Sequence, residues 1–131
     1  FYGYSWTDVE TTHDGLFQQG RAVKEDRPYN QIQSVAPSFS AHREDSSQAP
    51  WLFDGQTIWT YEDPVSIRFK ASYASHHHLG GVMIWELSRE TADAELLKIA
   101  YRSLHDPLDE KIFKERARKR PLGSGVPTPR K

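Results

Sequence analysis

Three kinds of side chain in this sequence could do chemistry: a histidine triplet, scattered carboxylates, and a set of aromatics. His76, His77 and His78 are consecutive. On a helix, successive residues point about 100° apart, so the three rings cannot converge on one ion. They read instead as cations near a helix C-terminus, where the dipole favours them. Asp45, Asp54, Glu62 and Asp63 sit at turn and cap positions and are assigned no chemistry. Tyr2, Tyr4 and Trp6 alternate as on a strand, so they share one face. Trp51 and Trp59 flank a turn and read as packing across a hairpin. By pattern alone, Trp85 ends an apolar run and reads as a core residue.

There is no cysteine, so disulfides, thiol catalysis and thiolate zinc sites drop out, and no metal or cofactor is expected. The formal net charge of -1 gives no reason to expect a nucleic acid or an anionic membrane as partner. The basic cluster Lys111, Lys114, Arg116, Arg118, Lys119 and Arg120 reads as a solvated face or tail, not as a polyanion site. No apolar run reaches the ~20 residues of a membrane span. At 131 residues the chain is too short for a complete eight-fold α/β barrel, which takes about 250. Phe1 opens directly inside an aromatic stretch, which reads as a piece of something longer.

The elements that must hold these residues follow from local patterning. Residues 1–9 read as a strand with a close backbone approach at Gly3. Residues up to about 40 show no sustained period and read as short strands and turns. PWLFDGQTIWTY, residues 50–61, places Asp54-Gly55 between two aromatic runs, the pattern of a tight hairpin. Asp63-Pro64 supplies an N-cap and a first-turn proline for a helix carrying Ile67, Phe69, Ala71, Tyr73 and Ala74 and ending near His78. Val82, Met83, Ile84 and Trp85 form a continuous apolar run, the pattern of a strand covered on both faces in a parallel sheet. Thr91 then caps a helix whose apolar face is Leu96, Leu97, Ala100, Tyr101 and Leu104. Residues 110–120 extend as a further helix, and the last ten or so residues are expected to be disordered.

Taken in order, FYGYSW, GLFQ, PYNQI, QAPWLF, TIWTYEDPVSIRFKASYA and LGGVMIWELSRETADAELL resemble family 18 glycoside hydrolases of the bacterial chitinase type. The resemblance covers roughly residues 1–104. It implies an α+β chain: a partial TIM (β/α)8 barrel, its last two strands and helices, carrying a small antiparallel α+β insertion domain. Residues 1–9 would be the seventh barrel strand and 10–62 the insertion domain. Residues 63–104 would form a barrel helix, the eighth strand and the closing helix, with 105–131 a basic, partly disordered tail.

That family cleaves β-1,4-linked N-acetylglucosamine polymers by a substrate-assisted retaining mechanism, in which the sugar's acetamide is the nucleophile. Its acid lies in a DxxDxDxE motif and its acetamide-binding residues in a Met-x-Tyr-Asp motif. Neither string occurs in this chain. The resemblance therefore implies a substrate-binding contribution without the catalytic acid. Trp85 matches the tryptophan that floors the subsite of the sugar being cleaved, with Glu86 beside it at the C-terminal end of the eighth strand. Tyr2 matches the tyrosine of the seventh-strand motif. Tyr4 stands where that motif has arginine, which removes a guanidinium from the expected contacts.

Chitin or chito-oligosaccharides, the remaining N-terminal barrel portion and a second copy of the chain through exposed barrel strands are the expected partners, in a secreted setting. The alternatives are a non-catalytic chito-oligosaccharide-binding module and a structural fragment.

Overall fold

The computed structural model describes residues 1–23 and 26–118. Six strands form one antiparallel sheet: β1 (Tyr2–Thr7), β2 (Arg21–Ala22), β3 (Arg27–Pro28), β4 (Ser40–Arg43), β5 (Pro50–Phe53) and β6 (Ile58–Thr60). Their order is β2-β1-β6-β5-β4, with β3 also paired to β1. A short helix, α1 (Tyr29–Val35), follows β3, and three more close the chain: α2 (Pro64–His76), α3 (Glu95–His105) and α4 (Glu110–Arg118). No described helix is long and apolar enough to cross a membrane.

β1 shows the alternation that its sequence predicts. Gly3 and Ser5 are buried on one face, while Tyr2, Tyr4 and Trp6 share the other. The glycine is a packing requirement: a Cβ there would lie 2.5 Å from the Ile32 Cδ1 and 2.5 Å from the Thr60 carbonyl oxygen. On the Gly3 side, Ile32 of α1 packs with Leu52 and Trp59. On the opposite side, Val9, Trp51, Phe53 and Ile58 form a second cluster with Trp6 and Leu16 against it. Trp51 and Trp59 are thus core residues of opposite faces, and Trp51 also donates its Nε1–H to the Asp14 carbonyl at 3.1 Å. The β5–β6 hairpin forms as expected, with Trp51 opposite Thr60 and Phe53 opposite Ile58. Its turn is closed by Asp54, whose Oδ1 accepts from the backbone N–H of Gln56 at 2.9 Å and of Thr57 at 2.7 Å.

α2 starts where Asp63-Pro64 places it. The Asp63 carboxylate accepts from the Ser66 N–H at 2.9 Å, and the Ser66 hydroxyl accepts from the Asp63 N–H at 2.9 Å, a reciprocal capping box. Arg43 pairs with the same carboxylate. Burial alone would raise the Asp63 pKa, but Arg43 and the Ser66 donors outweigh it and hold the carboxyl below its usual range. The helix ends at His76, and His78 takes a left-handed backbone. His76 lies flat against Phe113 of α4 at 4.7 Å and His77 leans on Tyr73 at 4.2 Å, so these two rings pack locally, while His78 is exposed.

α3 begins at Glu95 and is capped by two side chains from the preceding turn. The Thr91 hydroxyl accepts from the Glu95 N–H at 3.2 Å, and the buried Glu90 carboxylate accepts from the N–H groups of Thr91 and Leu97 at 2.8 and 2.9 Å. Its inner face is Leu96, Ala100 and Ser103. Tyr101 and Tyr73, both expected on buried stripes, point outward instead. Leu96 joins Phe1 and Tyr29 in a third cluster with Tyr61, Ile67 and Ile84. Two polar ties reinforce this seam: the Tyr29 hydroxyl donates to Glu95 at 3.0 Å, and the Asn30 side-chain amide donates to the Glu90 carbonyl at 3.1 Å.

One expectation is corrected. Residues 82–85 form no strand, and Val82, Met83 and Trp85 are exposed rather than buried. A strand of a parallel sheet needs a partner on its edges and cover on both faces. Here the segment has one main-chain tie to the residue before β1, the Phe1 nitrogen donating to the Trp85 carbonyl at 2.8 Å, and only Ile84 reaches the core. The disorder expected for the last ten residues lies outside the described residues, as do Lys119 and Arg120.

Candidate functional site

The edge of β1 and the 82–86 segment together frame a groove of about 540 Å3, walled by Phe1, Tyr2, Glu62, Lys70, Met83 and Trp85. Each wall has a local cause. β1 alternation turns Tyr2 away from the face that Gly3 buries. Glu62 sits one residue before the α2 cap, Asp63, and the 62, 66, 70 spacing lines up Glu62, Ser66 and Lys70 on one side. The Ser66 hydroxyl donates to Glu62 at 2.6 Å, and Lys70 pairs with the other oxygen of the same carboxylate. A second hollow of about 360 Å3 shares Tyr2 and Glu62 and extends the groove over Trp51, Thr60 and Leu16.

Trp85 is 66% exposed and its ring lines the first hollow; the peptide bond between Trp85 and Glu86 is cis. Tyr2 lines both hollows. Tyr4 lines neither; it is 48% exposed and meets Tyr2 edge to face at 5.2 Å, in line with Trp6 at 6.5 Å. A hydrogen bond to Tyr2 raises its phenol pKa. Glu86 stands beside the groove rather than in its wall. Its carboxylate accepts from the Ser88 hydroxyl at 2.9 Å and from the Arg89 Nε at 3.1 Å, and these two donors hold it below the usual carboxylate range. The four residues that the sequence singled out therefore divide. Tyr2 and Trp85 face one groove, Tyr4 flanks Tyr2, and Glu86 points into an ion pair.

Sequence reasoning assigned Glu62 no chemistry and passed over Lys70 and Arg89. The first two were legible in principle, since the 62, 66, 70 spacing marks one helical face. Arg89 meets Asp26 across 63 positions, which no local pattern reports.

Chemically, the groove offers flat apolar faces beside paired polar groups. That combination suits a sugar, whose rings present C–H faces to aromatics and hydroxyls to polar partners. Both nearby carboxylates carry a cationic partner, which suits hydrogen-bond acceptors more than a proton donor. Among the described residues no group of three or more His, Asp or Glu side chains is arranged to hold a metal ion.

The comparisons with known proteins agree on one family. The family model for glycosyl hydrolases family 18 matches residues 1–90. Chitinase 63 of Streptomyces plicatus is 28% identical over 103 residues, covering 74% of this chain and 16% of its own length. The solved family 18 N-acetylglucosaminidase of Paenibacillus barengoltzii superposes with a TM-score of 0.69 at 30% identity, over 77% of this chain and 31% of that one. A class V chitinase from Nicotiana tobaccum, solved with NAG4, shares the fold at a TM-score of 0.70 and 21% identity, over 79% of this chain and 32% of its own. The chain spans between 9% and 20% of the length of the curated relatives it matches. Within that span, sequence and fold both place it with chitinase-like proteins: the chain belongs to glycosyl hydrolases family 18.

Proposed function

We propose that this chain forms one wall of the substrate cleft of a chitinase-like enzyme and binds chito-oligosaccharide without supplying the catalytic acid. In this reading β1 is the seventh strand of the barrel and residues 10–62 the insertion domain. Residues 63–104 contribute a barrel helix, the 82–85 segment in the place of the eighth strand, and the closing helix. The observation that carries it is the joint placement of Tyr2 and Trp85 in one groove, with the Phe1 nitrogen bonded to the Trp85 carbonyl beneath them. That bond fits a segment that lies beside the start of β1 and whose strand pairing depends on the rest of a barrel. Trp85 stacks on the sugar, Tyr2 and Tyr4 form the adjoining aromatic wall, and Glu86 borders it as an acceptor. An extracellular setting follows from the same reading, as does a substrate-assisted retaining mechanism in the assembled enzyme.

Titration with chitotriose, followed by tryptophan fluorescence, tests the binding half. A saturable change that Trp85→Ala abolishes is expected; no change from the folded chain would refute it. A fluorogenic chito-oligosaccharide tests the catalytic half. The chain alone is expected to be inactive and to gain turnover when combined with an N-terminal barrel portion that carries the acid motif. Turnover by the chain alone would show that the acid is here.

A second reading draws on the exposure of Met83 at 82%, Trp85 at 66% and Leu87 at 58% at alternate positions. Such an apolar edge favours association of two copies. Sizing chromatography with light scattering is expected to show concentration-dependent dimers, and a monomer at every concentration would dismiss this reading.

A further inference from the structure

Arg89 reaches three separate parts of the groove's surroundings. Its guanidinium carbon sits 5.3 Å from the centre of the Tyr2 ring, a cation–π contact with β1. Its Nε donates to Glu86 at 3.1 Å, within the turn that follows Trp85. Its Nη1 donates to Asp26, just before β3. Only 26% of the side chain is exposed. The segment it holds has little other support, since residues 82–85 join no sheet and are tied to the start of the chain by the bond from Phe1 to Trp85.

We propose that Arg89 is a positioning residue, a three-way clamp that fixes Tyr2 and Glu86 relative to each other and so sets the spacing between β1 and the Trp85 segment. The planar fork of arginine is what allows this: two donors directed at two carboxylates leave the flat face for the aromatic ring. Lysine can keep the positive charge but offers a single nitrogen, so it can serve one carboxylate well and the others poorly. Tyr4, which stands where the family resemblance has an arginine, also meets Tyr2, so the Tyr2 ring contacts both a cation and a second aromatic ring. The consequence for sugar binding rests on the cleft-wall reading above; the clamp itself does not.

The test uses the full chain with Arg89→Gln, Arg89→Lys and Asp26→Asn, each checked for an unchanged unfolding midpoint. First, without ligand, the Glu86 carboxyl is titrated by 13C NMR. Glu86 is faced by the Ser88 hydroxyl, the Arg89 guanidinium and the Phe1 nitrogen. Removing the guanidinium is expected to raise its titration point toward the ordinary glutamate range in Arg89→Gln and less in Arg89→Lys. Second, chitotriose is titrated against tryptophan fluorescence. Arg89→Gln is expected to bind about tenfold more weakly, the loss of roughly one charge-assisted contact, with Arg89→Lys and Asp26→Asn in between. An Arg89→Gln chain with the wild-type Glu86 titration and wild-type affinity overturns the proposal. A wild-type chain that ignores chitotriose, while Arg89→Gln still moves the Glu86 titration, sinks the cleft-wall reading and leaves the clamp standing.

Discussion

Replacing Gly3 by alanine probes the strand on which the groove depends. The added methyl would lie 2.5 Å from the Ile32 Cδ1 and 2.5 Å from the Thr60 carbonyl oxygen, both well inside van der Waals contact. The two neighbours differ in what they can yield. Ile32 is 1% exposed, yet its terminal methyl can rotate at some cost. The Thr60 oxygen belongs to the backbone of β6, which pairs with β1 at Tyr4, Ser5 and Trp6, so it moves only if that ladder opens. Overpacking of this kind costs about 1–3 kcal/mol. For a chain of this size that lowers the midpoint by roughly 4–12 °C. Calorimetry on Gly3→Ala, on Ile32→Val and on the double variant is the assay. Ile32→Val in the Gly3→Ala background is expected to recover only part of the loss, because it frees the methyl and not the carbonyl. A Gly3→Ala midpoint within about 1 °C of the wild type, or full rescue by Ile32→Val, would refute the reasoning.

Three further outcomes are expected. Glu90→Ala removes a buried carboxylate that accepts from the Thr91 and Leu97 N–H groups, and should cost about 1–3 kcal/mol in urea unfolding, with the loss of helicity confined to the start of α3. Glu44 has a carboxyl brought down from 4.5 to about 2: burial opposes the shift, but donors from Ser46 and Ser47 prevail. A depressed folded pKa gives stability that is complete above the unfolded value and lost as pH falls toward the folded one, so acid unfolding between pH 4.5 and about 2 should be flatter in Glu44→Gln. Phe113→Ala strips α4 of its contacts with Phe69 and His76 and should cost about 3–5 kcal/mol. Protease cleavage near Leu108 at unchanged rate would count against it.

Local chemistry made part of this fold legible. Asp54-Gly55 and Asp63-Pro64 act within four residues of themselves, so the hairpin and the start of α2 follow from spacing alone. Gly3 was readable for the same reason, as a small residue inside an aromatic strand. Residues 82–85 were not. Their apolar run describes an environment on two sides, and whether a strand forms is decided by neighbours far along the sequence. Tyr73 and Tyr101 followed helical spacing yet face outward, and serines, Ser66, Ser72 and Ser103, take buried positions on α2 and α3 instead. In the candidate site, the resemblance pointed to Tyr2 and Trp85, and spacing held the Glu62–Lys70 pair in plain view. The bridge from Arg89 to Asp26 joins distant segments and became visible only in three dimensions.

The seam between α1 and α3 bears on how this molecule comes apart. Tyr29 is 4% exposed, packs with Phe1 and Leu96, and binds Glu95, while its neighbour Asn30 holds the carbonyl of Glu90, the same residue that caps α3. Loosening the sheet portion therefore uncaps the closing helices, and melting those helices strips α1 of its support. Heat is therefore expected to take both halves in a single cooperative step.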